Sequence, residues 1–441
     1  MPIGKGITRR AVASRGVQLG GAVGAAAIAG CGQEPAAAIV SKDVRANLVW
    51  LIWSSNTNVR GEAYNAITTA FQQEYPNVTV EQISGGGNLQ LTLDKLSTMV
   101  AGDQPLDLVG TQHAVLGFYV NSGILKDLAP LARRDSALKF GDHMPTAVDM
   151  LSWKGLPYAL PIGMSTSAVA YNADLFAKGG VKLPDGSWNW SQYLETAQRL
   201  TVRKPDETQW GTHILPSASE IFYWIWMNGG EPLIPKEEPT QAKFSAPEVL
   251  EAVQWFNDLG VRYQVKAPAA VPDGKGSNGK FEAGRVAFFP VQSNNTRELQ
   301  DETFTWDVVA LPKGKKSTVY PLNSFSYGVY NNTKQLDLAW KFWTTVVGPT
   351  GQREWMLRTG EFIPSHKSLA GEYEKMSLRP ANRKVFLQAV ASGRHTPKAT
   401  KWKEMEPILN EQLQAADAGA LGVKAMLETL DQQLATVLAG R

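Results

Sequence analysis

Residues 48–53 (LVWLIW) are continuously apolar, the pattern of a strand buried on both faces of a sheet. A polar stretch comes next at 54–58. Ala63, Ala66, Ile67, Ala70, Phe71 and Tyr75 then recur at helical spacing, and Pro76 ends that helix because it cannot donate the next backbone hydrogen bond. Residues 78–83 predict a second strand. Leu89, Leu93, Leu96, Met99 and Val100 predict a second helix, and residues 106–109 a third strand. The order β-α-β-α-β implies parallel strands joined by right-handed crossovers. Ligands of such sheets bind beyond the carboxyl ends of the strands, which here are 53–57, 85–88 and 111–114.

The rest of the chain keeps this α/β style. Asn189 with Gln192 three residues on predicts an N-cap with a reciprocal Gln, opening a helix over 193–200. Ser245 and Glu248 predict a second capping box, on a helix ending at Gly260. Strands are expected at 167–171, 286–289 and 306–311. Helices are expected at 336–347, 352–357 and 404–438.

The amino terminus is of a different kind. Lys5, Arg9, Arg10 and Arg15 form a basic region without an acidic residue, and the small apolar run 16–30 is too short to span a bilayer. This is the pattern of a signal peptide, and Arg9-Arg10 resembles a twin-arginine export signal. Ile28-Ala29-Gly30-Cys31 matches the bacterial lipobox, which makes Cys31 the expected lipidation site, with 31–45 as a flexible tether. The leader also changes the charge picture. The 441-residue chain holds 44 Lys and Arg against 41 Asp and Glu, but four of the basic residues lie before Cys31. From Cys31 onward the chain is therefore close to neutral, without the clustered Lys and Arg of a nucleic-acid footprint. Cys31 is the only cysteine, so intramolecular disulfides and thiolate metal sites are excluded. The length after the leader exceeds what a single core usually holds, and two domains are expected.

Several segments, in order, resemble the family 1 extracellular solute-binding proteins, the maltose-binding-protein-like group. They are residues 48–56 (LVWLIWSSN), 70–80 (AFQQEYPNVTV), 105–113 (PLDLVGTQH), 158–176 (YALPIGMSTSAVAYNADLF), Trp188-Asn189-Trp190, 228–231 (NGGE), 281–288 (FEAGRVAF), Leu311-Pro312, Phe342 and 360–364 (GEFIP). The resemblance implies an α/β fold of the periplasmic-binding-protein type II. Two Rossmann-like lobes, 46–160 plus 325–357 and 161–324 plus 358–441, would be joined by a multi-strand hinge with the ligand in the cleft. Hinge candidates are 160–163, 321–324 and 358–360. The chain departs from the family at Gln112-His113, where many members place an acidic residue against sugar hydroxyls.

Binding a neutral polyol takes aromatic planes together with amide, hydroxyl and carboxyl groups. The candidates are Trp53, Ser54, Asn56 and Thr57 after the first strand, and Gln112 and His113 after the third. Met164 and Ser165 lie at the first crossover. Glu220, Tyr223 and Trp224 lie in the aromatic stretch 219–226, Gln292 in a strand-end loop, and Tyr327 and Glu361 after the second and third crossovers. No catalytic residue, cofactor or metal site is assigned. Residues 274–280 (GKGSNGK) fit a phosphate-loop spacing, but no strand precedes them and Phe281 stands where Ser or Thr would bind magnesium. The expected protein is a monomeric, lipid-anchored binding subunit on the outer face of the cytoplasmic membrane. It would hand a carbohydrate to the permease of an ABC importer. The alternatives are a secreted carbohydrate-active enzyme, or a binding protein for a polyamine or a phosphorylated polyol.

Overall fold

The computed structural model describes residues 40–54, 59–135, 138–204, 207–268 and 279–440. Two five-stranded sheets organise them. In the first sheet, Ala46–Ile52 pairs in parallel with Val78–Ser84 on one side and with Leu108–Thr111 on the other. That is the arrangement expected from the alternation of strands and helices. The chain then leaves and re-enters, so Asn323–Val329 and Leu160–Ser165 complete the sheet in antiparallel pairing. The second sheet has Ser167–Asn172 between Trp306–Val309 and Val286–Gln292, antiparallel to both, with Thr208–Thr212 parallel to Val286–Gln292.

The continuous apolar run of the first strand is explained by cover on both faces. Leu48, Trp50 and Ile52 face a core with Tyr64, Ile67 and Phe71 from the helix Val59–Glu74 and with Phe342, Trp343 and Trp355 from the two helices Leu336–Val347 and Pro349–Thr359. Val49 and Leu51 face the opposite core, with Leu93, Leu96 and Met99. Trp50 is the centre of the first core. Its ring meets Tyr64, Tyr327 and Phe342 edge-on at 5.0, 5.1 and 5.2 Å.

Local signals fared unequally. Asn189 caps Trp190–Leu200 with the complete reciprocal box to Gln192. The box expected at Ser245 does not form. The helix Pro247–Asp258 starts behind an Ala246 cap, and the Ser245 hydroxyl donates to Asp431 at 2.6 Å. A carboxylate from a distant helix outcompetes the local backbone for that hydroxyl. The expected helix 404–438 is two helices, Trp402–Asp417 and Val423–Leu438, which pack on each other across a turn.

Leu160–Ser165 belongs to the first sheet and Ser167–Asn172 to the second, so a single extended segment runs through both with only Thr166 between. The return segment enters the first sheet at Asn323. Trp50 should be among the residues that hold this fold most strongly. Trp50→Ala should cost about 3–5 kcal/mol in urea unfolding, and a loss below about 1 kcal/mol would contradict the packing described.

Candidate functional site

Three crossovers meet where the sheets abut. Asn323 pairs with Ser165, and Met164 and Ile363 exchange a pair of backbone hydrogen bonds at 2.8 Å each. The close approach depends on two glycines. A Cβ on Gly163 would lie 2.5 Å from Phe362 Cβ, and Gly360 has φ +66°, a left-handed conformation that turns the helix Pro349–Thr359 into the third crossover. Several strand ends lie on this side of the two sheets. They are Trp53, Thr111 and Ser165 on the first sheet, and Ser167, Thr212 and Gln292 on the second.

On the second-lobe side, a pocket of about 100 Å³ opens between the ends of Thr208–Thr212 and Val286–Gln292 and the start of the helix Ala218–Met227. His213, Ser217, Ser219, Glu220, Gln292 and Asn295 supply its polar lining. Glu220 is buried and accepts a 2.6 Å hydrogen bond from the Tyr223 hydroxyl. Burial raises the Glu220 pKa, and hydrogen bonds from Tyr223 and Gln292 oppose the rise. Burial, followed by the Glu220 charge, pushes the Tyr223 hydroxyl well up, so it stays a donor. The sequence-predicted Glu220, Tyr223 and Gln292 are thus brought together. Trp224 is not. It is buried on the other side of the helix among Trp190, Tyr193 and Trp255. Consecutive helical residues point about 100° apart, so the aromatic run could not face one cleft.

The first-lobe side is built differently. Trp53 and Ser54 are buried at the end of the first strand, with the Trp53 ring 5.8 Å from Phe325. Asn56 and Thr57 lie outside the described residues, as does Cys31. Gln112 is half-buried. Tyr327 points into the lobe's core, where its hydroxyl donates to Tyr64 at 2.8 Å. Met164 is wholly buried in a core cluster with Ala168, Phe289 and Ile363. Both sit on the crossovers as expected, but with their side chains turned away from the strand ends. Ser165 is also buried, at the sheet's edge.

Glu361 is buried on the third crossover and pairs with Arg60 at 2.8 Å. Arg60 in turn lies over the Phe325 and Phe362 rings, 5.1 and 5.8 Å from their centroids. Burial raises the Glu361 carboxyl, opposed by Arg60 from the first lobe and by the charge of Arg297 from the second. Arg60, Phe325, His213 and Ser217 were not legible as site residues. Arg60 lies just past the polar loop at the start of a helix, and His213 stands after a strand that carries no clear apolar period.

A strap over residues 394–400 spans both lobes beside these strand ends. In the second lobe, Arg394 pairs with Glu231 and lies 4.2 Å from the Trp226 ring centroid, and Thr400 Oγ1 donates to Glu238 at 2.8 Å. In the first, Thr396 Oγ1 is 2.9 Å from His113 Nε2, and Asn121 donates to Thr400 Oγ1 at 2.8 Å. His113 is therefore held by the strap, with its ring 5.3 Å from that of His395. Several buried polar atoms around the junction have no hydrogen-bond partner among the described residues. They include the hydroxyls of Thr111, Thr166, Ser167 and Ser293 and His113 Nδ1. Such groups call for water or a polar solute.

Two α/β lobes joined by three crossovers, with polar side chains gathered at the junction, define a two-lobed binding protein of the periplasmic-binding-protein type II class. The chain belongs to the bacterial extracellular solute-binding protein family, which it matches over residues 66–381. Its fold is similar to that of the substrate-binding protein of an ABC system from Listeria monocytogenes solved with cycloalternan. That match has TM-score 0.81 at 20% identity and covers 90% of this chain and 100% of that one. The GacH receptor of Streptomyces glaucescens, solved unliganded and with acarbose, aligns with TM-score 0.76 at 18% identity, covering 90% and 99%. In sequence, the chain is 28% identical to the mannitol-binding protein of Pseudomonas aeruginosa over 244 residues, covering 51% of this chain and 50% of that protein. It is 23% identical to a binding protein of Brucella abortus over 384 residues, covering 81% and 85%. Among the described residues, no helix is long and apolar enough to cross a membrane.

The junction carries a pH signature. Burial holds His113 well below its ordinary value, and His395 and Lys398 push the same way. Nearby, His143 lies 5.2 Å from His366 ring to ring and is pushed down from 6.5 to about 4, by burial first and then by His366. These histidines fold neutral. The contribution of His143 is present above pH 6.5 and is lost as the pH falls toward 4. For His143 alone, stability in urea should drop by about 2 kcal/mol between pH 7 and pH 5. His143→Gln should remove most of that slope, and an unchanged slope would show that the buried pair is not its source.

Proposed function

We propose that this protein is the substrate-binding subunit of an ABC importer, capturing a carbohydrate between its lobes and delivering it to the membrane permease. The observation that carries the reading is the junction itself, where the buried Glu220 and Tyr223 and the half-buried Gln292 sit beside unpartnered hydroxyls. Hydroxyls that both donate and accept suit such groups, and Glu220, Tyr223, Gln292, Ser54 and Gln112 are the proposed contacts. The pocket lining contains no lysine or arginine, which favours a neutral polyol over a phosphorylated one. The ligands named for the relatives, mannitol, cycloalternan and acarbose, support the same class.

Binding at a junction of two lobes works through differential affinity. The closed arrangement contacts the ligand from both sides and is selected by it. Thr166, alone between the sheets, is the residue about which we expect the lobes to turn. Catalysis has no part in this reading. The leader 1–30 and a lipid on Cys31 would hold the monomer on the outer face of the cytoplasmic membrane, where captured solute is nearest the permease.

Two experiments test the assignment. A thermal-shift screen of polyols, mono- and oligosaccharides should find a ligand that raises the melting temperature by several degrees at saturation, with the shift lost in Glu220→Gln. A shift with a polyamine and with no sugar would discard the carbohydrate class. Separately, Cys31→Ala should move the protein from the membrane fraction to the soluble exported fraction. Retention on the membrane would refute the anchor.

A further inference from the structure

The strap over 394–400 is fastened to the two lobes by unlike means. To the second lobe it is tied through its backbone. The Arg394 N–H donates to the Tyr320 carbonyl, and the Arg394 carbonyl accepts from Leu322, both at 2.8 Å. The Lys398 N–H donates to the Lys236 carbonyl at 3.0 Å, and the Lys398 carbonyl accepts from Glu238 at 2.8 Å. Toward the short segment His113–Val115 and the helix Leu116–Asn121 of the first lobe, the one backbone bond among the described residues is long, from the Ala399 N–H to the Ala114 carbonyl at 3.4 Å. Side chains make the remaining contacts there, His113 with Thr396 and Asn121 with Thr400. The strap is therefore a part of the second lobe, and separation of the lobes on this side runs between the strap and His113.

The surroundings of His113 suit a neutral ring only. Its side chain is buried, Nε2 meets the Thr396 hydroxyl, and Nδ1 has no partner among the described residues. A proton added to this ring puts a charge in a buried place and leaves an N–H there without an acceptor. The neighbouring charged groups face other partners. Lys398 donates to Glu237 at 3.1 Å and to the carbonyls of Asp149 and Ser152. Glu238 accepts the N–H and hydroxyl of Thr400. At the start of the helix Trp402–Asp417, Lys403 lies 3.6 Å from Asp94 and Lys401 donates to the Val437 carbonyl at 2.7 Å. His395 differs from His113, because both its nitrogens face acceptors, the Thr396 carbonyl at 2.7 Å and the Asp149 carboxylate at 3.4 Å.

We propose that His113 is a proton-operated clasp between the lobes: neutral, it holds the strap against the first lobe, and protonated, it releases it. With the strap in place, burial and then the charges of His395 and Lys398 hold the ring well below its ordinary 6.5. Release admits water and removes that restraint. The neutral ring therefore favours the fastened strap above pH 6.5, and each pH unit below that shifts the balance toward release by up to about tenfold. Acid would thus change solute capture through the arrangement of the lobes, without altering the Glu220, Tyr223 and Gln292 contacts.

Spin labels on the exposed positions of Lys95→Cys and Glu411→Cys, in the full chain carrying Cys31→Ala, report the distance between the first-lobe helix Leu89–Ala101 and the second-lobe helix Trp402–Asp417. One distance is expected at pH 7, and a second at pH 5, the ratio of second to first rising by up to about thirtyfold. His113→Gln keeps a partner for Thr396 and cannot titrate, so it should show a single distance at both pH values. His395→Gln should keep the response. Thr396→Val, which leaves His113 in place and removes the hydroxyl that fastens it, should bring the second distance in at a higher pH than in the wild type. The proposal is overturned if the wild-type distance is the same at pH 7 and pH 5, or if His113→Gln responds to acid as the wild type does. It is equally overturned if His395→Gln abolishes the response, which would place the switch on the other ring. Should His113→Gln fail to fold, an unchanged transition in Thr396→Val refutes the clasp by itself. None of these readings needs a bound solute, so they stand apart from the outcome of the thermal-shift screen.

Discussion

The constraint on which the molecule depends is the continuity of Leu160–Asn172. It is one extended segment that serves as an edge strand of the first sheet and an inner strand of the second. Each half is paired into its own sheet, so neither lobe can be built without bringing the other to within one residue of it. The backbone bonds between Met164 and Ile363, and the approach of Phe362 to Gly163, bring the third crossover to the same place. Strand ends from both sheets then have no option but to face each other. That geometry, more than any single side chain, makes the site.

Polar groups at such a junction are costly to bury, and the structure offsets the cost unevenly. Glu220 is matched within its own lobe by Tyr223 and Gln292. Glu361 is matched by Arg60 from the first lobe and by the field of Arg297 from the second, so its environment depends on how the lobes sit. The strap over 394–400 adds contacts to both lobes, through Arg394 and Thr400 on one side and His113 and Asn121 on the other. The proposed turning about Thr166 must therefore be reconciled with a second tether. The unpartnered hydroxyls of Thr166, Ser167 and Ser293 lie at this proposed pivot, where a rigid protein–protein bond would oppose turning.

Much of this was legible in the chain. Apolar continuity placed the first strand, and the helical period placed Val59–Glu74, Leu89–Ala101 and Leu336–Val347. The Asn189–Gln192 box was read correctly because every atom it needs lies within four residues. The box at Ser245 failed for the complementary reason, since Asp431 is 186 residues away in sequence and no local rule sees it. Of the candidate residues, Glu220 and Tyr223, named from the aromatic stretch 219–226, and Gln292, named from a strand-end loop, come together at the junction, whereas Trp224 and Tyr327 pack into cores, because an aromatic side chain packs as readily into a core as into a cleft. Short helices such as Leu116–Asn121 and Pro145–Met150 carry too few turns to show a period and were not anticipated.

By itself, the sequence determined the local states: which of the longer segments are strands or helices, where Pro76 and the caps bound them, and that four basic residues and a single cysteine precede a near-neutral remainder. These outcomes come from interactions over a few residues, which the order of side chains specifies directly. Only the tertiary structure decided that the first sheet is mixed, that the change of lobe falls at Thr166, and that Arg60, Glu361 and Arg297 share one electrostatic environment. Those outcomes rest on pairings across as many as 301 positions, as between Arg60 and Glu361. Contacts of that range are selected by the simultaneous burial of whole sheet faces, a property of the assembled chain that no window of residues contains.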